Sequence, residues 1–235
     1  AGCRPEYMPV LVALVEAIAD PNFRVEDAGS TPGWEPLVII NGPVIRQLDF
    51  NSGQGVMRVG RQANTTIGRF LRMYLRNICG YRIPPGVGDK GSIAGTFHVA
   101  LAEDEESATA IGWPTFGEDC GYSRKDSVVT VTSVNCVSPP VYSCGDHAVD
   151  NVQQFVDVLG RMFAYWSQSG VKRGYWFPLI VIGPSIAKVI ASEWSKDEVR
   201  EFIWKRATIS ASLMAHFAKQ TGGWTMNLRE LVEEG

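Results

Sequence analysis

A chain of 235 residues with 45% apolar and 20% charged side chains can bury a sizeable core, and its composition is that of a folded globular protein rather than a disordered one. No apolar run reaches the ~18 residues that span a bilayer. A net charge of −3 gives no general basic footprint, so neither nucleic acid nor a membrane is expected as a partner.

The first residues, Ala1-Gly2-Cys3, run almost straight into a helix, with Pro5 suited to its first turn and Glu6 to the positive end of its dipole. An α/β domain seldom opens so. A preceding segment is therefore expected to be cleaved off, missing, or supplied by a second polypeptide, in an oligomer. The helix should run to Ala19 with Met8, Leu11, Val12, Val15 and Ile18 on its buried side.

Leu37–Ile40 is a bare apolar run that stops at Gly42-Pro43, which suits a strand covered on both faces. A short helical turn over 44–48 and a polar, glycine-rich loop follow. Ile67, Phe70, Leu71, Tyr74, Leu75 and Ile78 recur at three and four, predicting a helix from about Asn64, with Asn64, Thr65 or Thr66 at its start and Gly80 at its end. Arg72 and Arg76, four apart, read as its solvated face. Residues 81–95 read as a loop, and Thr96–Leu101 and Ser127–Val134 as strands.

Further on, 150–168 reads as a helix, Leu179–Ile182 as a second core strand ending at Gly183-Pro184, and 185–193 as a helix on it. Ser195-Lys-Asp-Glu198 is a capping box that opens another helix, to about Arg206. The last stretch also reads as helical. The fold class expected is α/β: an open mixed or parallel sheet with flanking helices and two pseudo-equivalent strand-Gly-Pro-helix units. Residues 1–235 read as one domain or the larger part of one, with room for a sub-boundary near 135–148.

Ligands in open α/β sheets bind beyond the carboxyl ends of strands. Asn41, just past the first strand, is placed to orient a substrate or stabilise developing negative charge. In the loop that follows, Asn51, Ser52, Gly53 and Gly55 allow close backbone approach, and Arg61, Asn64 and Arg69 on the next helix suit a carboxylate or phosphate. Neither a Walker motif nor a dinucleotide fingerprint is present. Asp89 and Lys90 add charged groups in the glycine-rich loop.

Cys3, before a helix start and beside Arg4, has the setting of a reactive thiolate; the alternative is a small side chain filling space under a turn. Glu103-Asp-Glu-Glu106 follows a predicted strand. Such a run is ordinarily a solvated turn, but a carboxylate buried beside a second one would suit proton transfer, and Glu106 or Glu6 is the candidate. Cys136, Cys144, Asp146 and His147 fit no zinc spacing, and Asp146 more simply caps a helix, so no metal is expected and no cofactor is evident. Five widely spaced cysteines, an odd number, favour reduced thiols in a cytoplasm.

Ala1-Gly-Cys-Arg-Pro-Glu-Tyr-Met-Pro9, Asn41-Gly-Pro43, Asn51-Ser-Gly53, Arg61-x-x-Asn64-x-x-Ile-Gly-Arg69, Asp89-Lys90 and Ala102-Glu-Asp-Glu-Glu106 together resemble a bacterial family of proteins that carry a UGSC motif. In that motif U is selenocysteine or its cysteine counterpart. The resemblance covers most of 1–134 and returns at Gly183-Pro184 and Trp194-Ser-Lys-Asp197. It implies an α/β segment ahead of the Ala-Gly-Cys motif, and it tilts the chemistry toward carbon–heteroatom bond cleavage or thiol redox work. This chain has no Cys-Gly-Ser-Cys, so that motif's chemistry would come from another chain or be lacking.

The function expected first is an enzyme subunit acting on a small anionic or polar metabolite with Cys3 as the thiol. The alternatives are a non-redox lyase or hydratase using Asp, Glu and Lys groups, with Cys3 structural, and a non-catalytic binding subunit.

Overall fold

The computed structural model describes residues 1–29, 34–82, 97–134, 137–163 and 178–222. The chain divides into two compact units, Ala1–Ala110 with Pro114–Val137, and Ile111–Trp113 with Ser138–Gly235. Among the described residues no helix is long and apolar enough to cross a membrane.

The first unit is built on a small mixed sheet of three strands, β1 (Glu35–Asn41), β2 (Leu101–Ala102) and β3 (Val128–Val134), in the order β2-β1-β3. β1 is parallel to β2, with Ile39 opposite Leu101, and antiparallel to β3, with Glu35 opposite Val134 and Asn41 opposite Val128. Its apolar run lacks polar alternation because both faces are covered. Val38 and Ile40 join the main core, and Leu37 and Ile39 pack with Leu101, Val56, Phe97 and Phe116 on the other face. The expected strand over 96–101 shrinks to two residues at its end.

Two helices close the main core. A single 3-10 turn over Pro5–Tyr7 leads into α1 (Met8–Ala19), and α3 is Gln62–Asn77. In α1 the buried stripe is Val10, Leu11, Leu14 and Ile18, whereas Met8 and Val12 are exposed, so the expected face is rotated. Pro5 starts the 3-10 turn and Tyr7, its last residue, is buried. In α3 the buried residues are Ala63, Asn64, Ile67, Gly68, Leu71 and Leu75, and Ile78 is exposed beyond the end of the helix. Fully burying one such Leu or Ile contributes about 1.5–3 kcal/mol. A Cβ on Gly68 would lie 2.5 Å from the backbone of His98, which is how closely α3 approaches the irregular segment leading to β2.

Arg72 is a further correction. It does not lie on a solvated face but points inward to an ion pair with buried Glu35 at the start of β1, where the Tyr81 hydroxyl also donates to Glu35 at 2.5 Å. Arg76 is exposed, as expected.

The second unit packs Trp113, Ala148, Val152, Ile190 and Val199 into its own core. Its helices are α6 (Ala148–Phe163), α7 (Pro184–Ala191), α8 (Lys196–Arg206) and α9 (Ala211–Gly222). The Ser195 capping box is present, with Glu198 N–H donating to Ser195 Oγ at 3.2 Å and Ser195 N–H to Glu198 at 2.6 Å. The expected strand Leu179–Ile182 is not formed. Residues 178–183 are irregular, with Val181 60% exposed, and only the Gly-Pro helix start after them is as predicted. The two apolar runs are therefore not equivalent units.

Candidate functional site

β1 delivers Asn41 to its carboxyl end, buried to 1% exposure. The next residue turns sharply: Gly42 has φ +87°, and a Cβ there would stand 1.9 Å from the Asp126 carbonyl oxygen. The turn feeds a short helix, α2 (Val44–Gln47).

β2 ends beside it, where Glu103 N–H donates to the Ile40 carbonyl at 3.2 Å, and the acidic run 103–106 follows. Its four acids divide among three roles. Asp104 accepts from Ser107 N–H at 3.1 Å and so caps α4 (Glu105–Ala110). Glu106 faces outward in an ion pair with Arg46. Glu103 and Glu105 turn inward to one amide: Asn41 Nδ2 donates to Glu103 Oε2 at 2.5 Å and to Glu105 Oε1 at 3.0 Å.

Backbone donors fix both carboxylates. Gly42 N–H donates to Glu105 Oε1 at 2.8 Å. Phe116 N–H, the first of α5 (Phe116–Asp119), donates to Glu103 Oε1 and Oε2 at 3.0 and 2.8 Å. Among the described residues, no donor meets Glu105 Oε2, and Asn41 Oδ1 is buried without a partner. Glu105 is thus a half-buried carboxylate with one oxygen held by two donors and the other meeting none among the described residues.

The α5 turn and the segment before β3 complete the rim. Thr115 caps α5 reciprocally with Glu118, and Arg124 Nε pairs with Glu118 Oε1 at 2.8 Å. The Arg124 guanidinium, with the Thr115 N–H behind it, holds the Glu118 carboxyl down to about 2, so it stays ionised.

The other sequence candidates lie elsewhere in the first unit. Cys3 Sγ donates to the Thr66 carbonyl at 3.3 Å, and Gln62 Nε2 donates to the Gly2 carbonyl at 3.1 Å, so the N-terminal segment lies along the start of α3. Glu6 is exposed on the first turn. Asn51 and Asn64 bind each other: Asn51 N–H donates to Asn64 Oδ1 at 2.8 Å, and Asn64 Nδ2 donates to the carbonyls of Asn51 and Ala100, each at 2.9 Å. The Asn51 side chain closes the loop through Gly53 N–H at 3.1 Å and the Gln54 carbonyl at 3.1 Å. These two amides therefore shape the loop rather than face a ligand. Ser52 and Gly53 are half-buried, Gly55 is exposed, Arg61 pairs with Asp49, and Arg69 is exposed on α3. Asn64, Thr65 and Thr66 lie inside α3 rather than capping it, since Arg61 precedes its first residue. Asp89, Lys90 and Cys136 lie outside the described residues.

Of the sequence candidates, Asn41 and the acidic run 103–106 stand in the cluster, but the sequence picks Glu106 from that run, whereas Glu103 and Glu105 are the two that turn to Asn41 and Glu106 pairs with Arg46. Arg124 was missed. One local signal was readable: Thr115-x-x-Glu118 is a capping box, which fixes the helix start that follows α4. In the second unit, His147 Nδ1 meets Glu193 Oε1 at 2.8 Å, and Ala148 N–H donates to Glu193 Oε2 at 2.8 Å, so Glu193 takes the place at the start of α6 expected of Asp146. Among the described residues, no group of three or more His, Cys, Asp or Glu side chains is arranged to hold a metal ion.

Comparison with family models, with curated proteins and with solved structures finds no match for this chain. The reading of the site therefore rests on its own geometry.

Proposed function

We propose that the chain is an enzyme that moves a proton on a small polar metabolite, a non-redox lyase or hydratase in reaction type, with Glu105 as its base. The observation that carries this reading is the convergence of Glu103 and Glu105 on the buried Asn41 amide, leaving Glu105 Oε2 open. The location supports it too, since the cluster lies at the carboxyl ends of two parallel neighbours.

In such a reaction Glu105 Oε2 takes a proton from a substrate carbon. The C–H electrons form the new double bond as the carbon–heteroatom bond breaks, and the protonated Glu105 returns the proton to the departing oxygen or nitrogen. Asn41 and Gly42 N–H keep the carboxylate aimed throughout, at no reorganisation cost. Glu103, engaged with Phe116 N–H and Asn41, holds the other side of the amide.

Cys3 is structural in this scheme. The Cys3 thiol is engaged with the Thr66 carbonyl at 3.3 Å, and the thiol-dependent alternative requires that bond to be given up.

A mixture of candidate substrates suffices for the test. The protein is incubated in D2O with small hydroxy and amino carboxylates together, and exchange of carbon-bound hydrogen is followed by NMR. Exchange that survives Cys3→Ser and iodoacetamide but falls by about 10²-fold or more in Glu105→Gln is the expected result. Full exchange in Glu105→Gln, or its loss in Cys3→Ser, would overturn the assignment.

A further inference from the structure

Arg124 is a guanidinium pinned on two edges. Nε pairs with Glu118 at 2.8 Å, and Nη1 donates to Thr109 Oγ1. Thr109 lies one turn beyond Glu105 on α4, and its hydroxyl donates to the Glu105 carbonyl at 2.6 Å. Glu118 lies on α5, whose first N–H holds Glu103. Arg124 thus ties together the two short helices that position the carboxylate pair, and it feels the charge of both glutamates. Its side chain is 39% exposed, and among the described residues no acceptor meets Nη2.

A guanidinium already fixed in place loses little side-chain entropy when it forks onto a ligand. The rim of the site therefore presents two open valences of opposite sign, Arg124 Nη2 and Glu105 Oε2. A simple anion would meet the field of Glu103 and Glu105, and a simple amine that of Arg124. A molecule carrying both charges satisfies both. A dianionic phosphate fits poorly, because Glu103, Glu105 and Glu118 outnumber the single guanidinium.

We propose that the substrate is a small zwitterion, its carboxylate received by Arg124 Nη2 and its cationic nitrogen lying in the field of Glu103 and Glu105, with Glu105 Oε2 left to face the carbon that gives up its proton. This rests on the proton-transfer reading of the same cluster and narrows it to a substrate class. Arg124 is the residue that sets specificity for the carboxylate.

The probes are glycine, β-alanine and γ-aminobutyrate, each compared with the acid lacking the nitrogen and the amine lacking the carboxylate. Binding is measured by saturation-transfer NMR and titration. At least one amino acid should bind about tenfold or more tightly than both of its single-charge counterparts. Arg124→Gln should abolish the preference over the amine, Arg124→Lys should retain part of it, and Glu105→Gln should abolish the preference over the acid. Circular dichroism establishes that each variant is folded, and Arg124→Lys carries the test if Arg124→Gln is not. No preference over either counterpart in the wild-type chain, or a preference that survives Arg124→Gln, overturns the inference. The two readings fail separately: proton transfer fails on hydrogen exchange in Glu105→Gln, and the zwitterion on the binding ratio in Arg124→Gln.

Discussion

The two ends of β1 hold carboxylates in opposite ways. At the start of the strand, Glu35 is 4% exposed and receives the Arg72 guanidinium and the Tyr81 hydroxyl, whose own ionisation is pushed up by burial and by the glutamate. At the far end Glu103 and Glu105 receive a neutral amide and backbone N–H groups, and a guanidinium stands to one side, bonded to another glutamate. A carboxylate met by a fixed cation is neutralised and inert. One held by neutral donors meets no cation directly, and in Glu105 one oxygen meets no donor among the described residues. The same strand thus carries a structural cluster at one end and a chemically available one at the other.

The largest effect that would break this comparison is at the structural end. Arg72→Met leaves Glu35 buried without its cation and should cost about 3–5 kcal/mol in urea unfolding. The double variant Glu35→Gln/Arg72→Met should recover most of that loss, because the stranded charge is gone. A single variant as stable as wild type would mean that Glu35 finds another partner, and the contrast between the two ends would disappear. Nε and Nη2 of Arg72 are buried without acceptors, so the pair is imperfect even when intact, and the double variant should fall little below the native chain.

Next in size is the turn that sets Asn41 in place. Gly42→Ala puts a Cβ at φ +87° against the Asp126 carbonyl. Backbone strain alone amounts to about 1–3 kcal/mol, and the carbonyl must move as well. The segment carrying Arg124 leads into β3 beside this turn, so hydrogen exchange of the amides over 121–128 should quicken along with the loss of stability. Unchanged protection there would separate the turn from the rim of the site.

Smaller still is the effect on stability of Glu105→Gln, under about 1 kcal/mol, since the neutral side chain still accepts from Asn41 Nδ2 and Gly42 N–H. The asymmetry is the point: a variant at the Glu35 end that removes the cation is costly, whereas one at the Asn41 end should leave the fold and change only chemistry. If Glu105→Gln unfolds the chain, the cluster at the Asn41 end is structural too.

Much of this frame was legible. The bare apolar run over 37–40, the helical spacing of 67–75 and the Ser195 capping box are local signals whose physics is contained in a few residues, and each produced the expected element. The strand at 179–182 failed because an apolar run ending in Gly-Pro shows only that a strand is allowed; among the described residues it has no ladder neighbour, and Val181 is exposed. Arg72 was misread because spacing along a helix does not reveal that Glu35 lies across from it, 37 residues away in sequence. The site was half legible for the same reason. Asn41 could be placed from its strand, but which acid of 103–106 turns inward depends on parallel pairing with β1 and on the turn at Thr115, and both are tertiary.

A carboxylate in the second unit gives the finest test, because it is exposed and paired with a group that can lose its charge. Glu193 bridges His147 and the Ala148 N–H at the start of α6. The glutamate raises the His147 pKa above its usual value near 6.5, and the imidazolium, helped by the backbone N–H, lowers that of Glu193. The signs fix the window. The raised histidine contributes stability that is fully present below its ordinary pKa and is lost as pH rises through the raised one. The lowered glutamate contributes stability present above its ordinary pKa and lost as pH falls through the depressed one. The pair therefore contributes most in mildly acidic solution and weakens on both sides, by an amount that solvent screening keeps small. An NMR titration of His147 should show a midpoint above the usual histidine value that returns toward it in Glu193→Gln and moves down on adding salt. A midpoint that ignores both would mean that the pair has no electrostatic content, and that Glu193 serves α6 only as a cap. Because the Ala148 N–H bond survives histidine deprotonation, α6 should keep its first turn at high pH, so the titration should change stability without changing helix content.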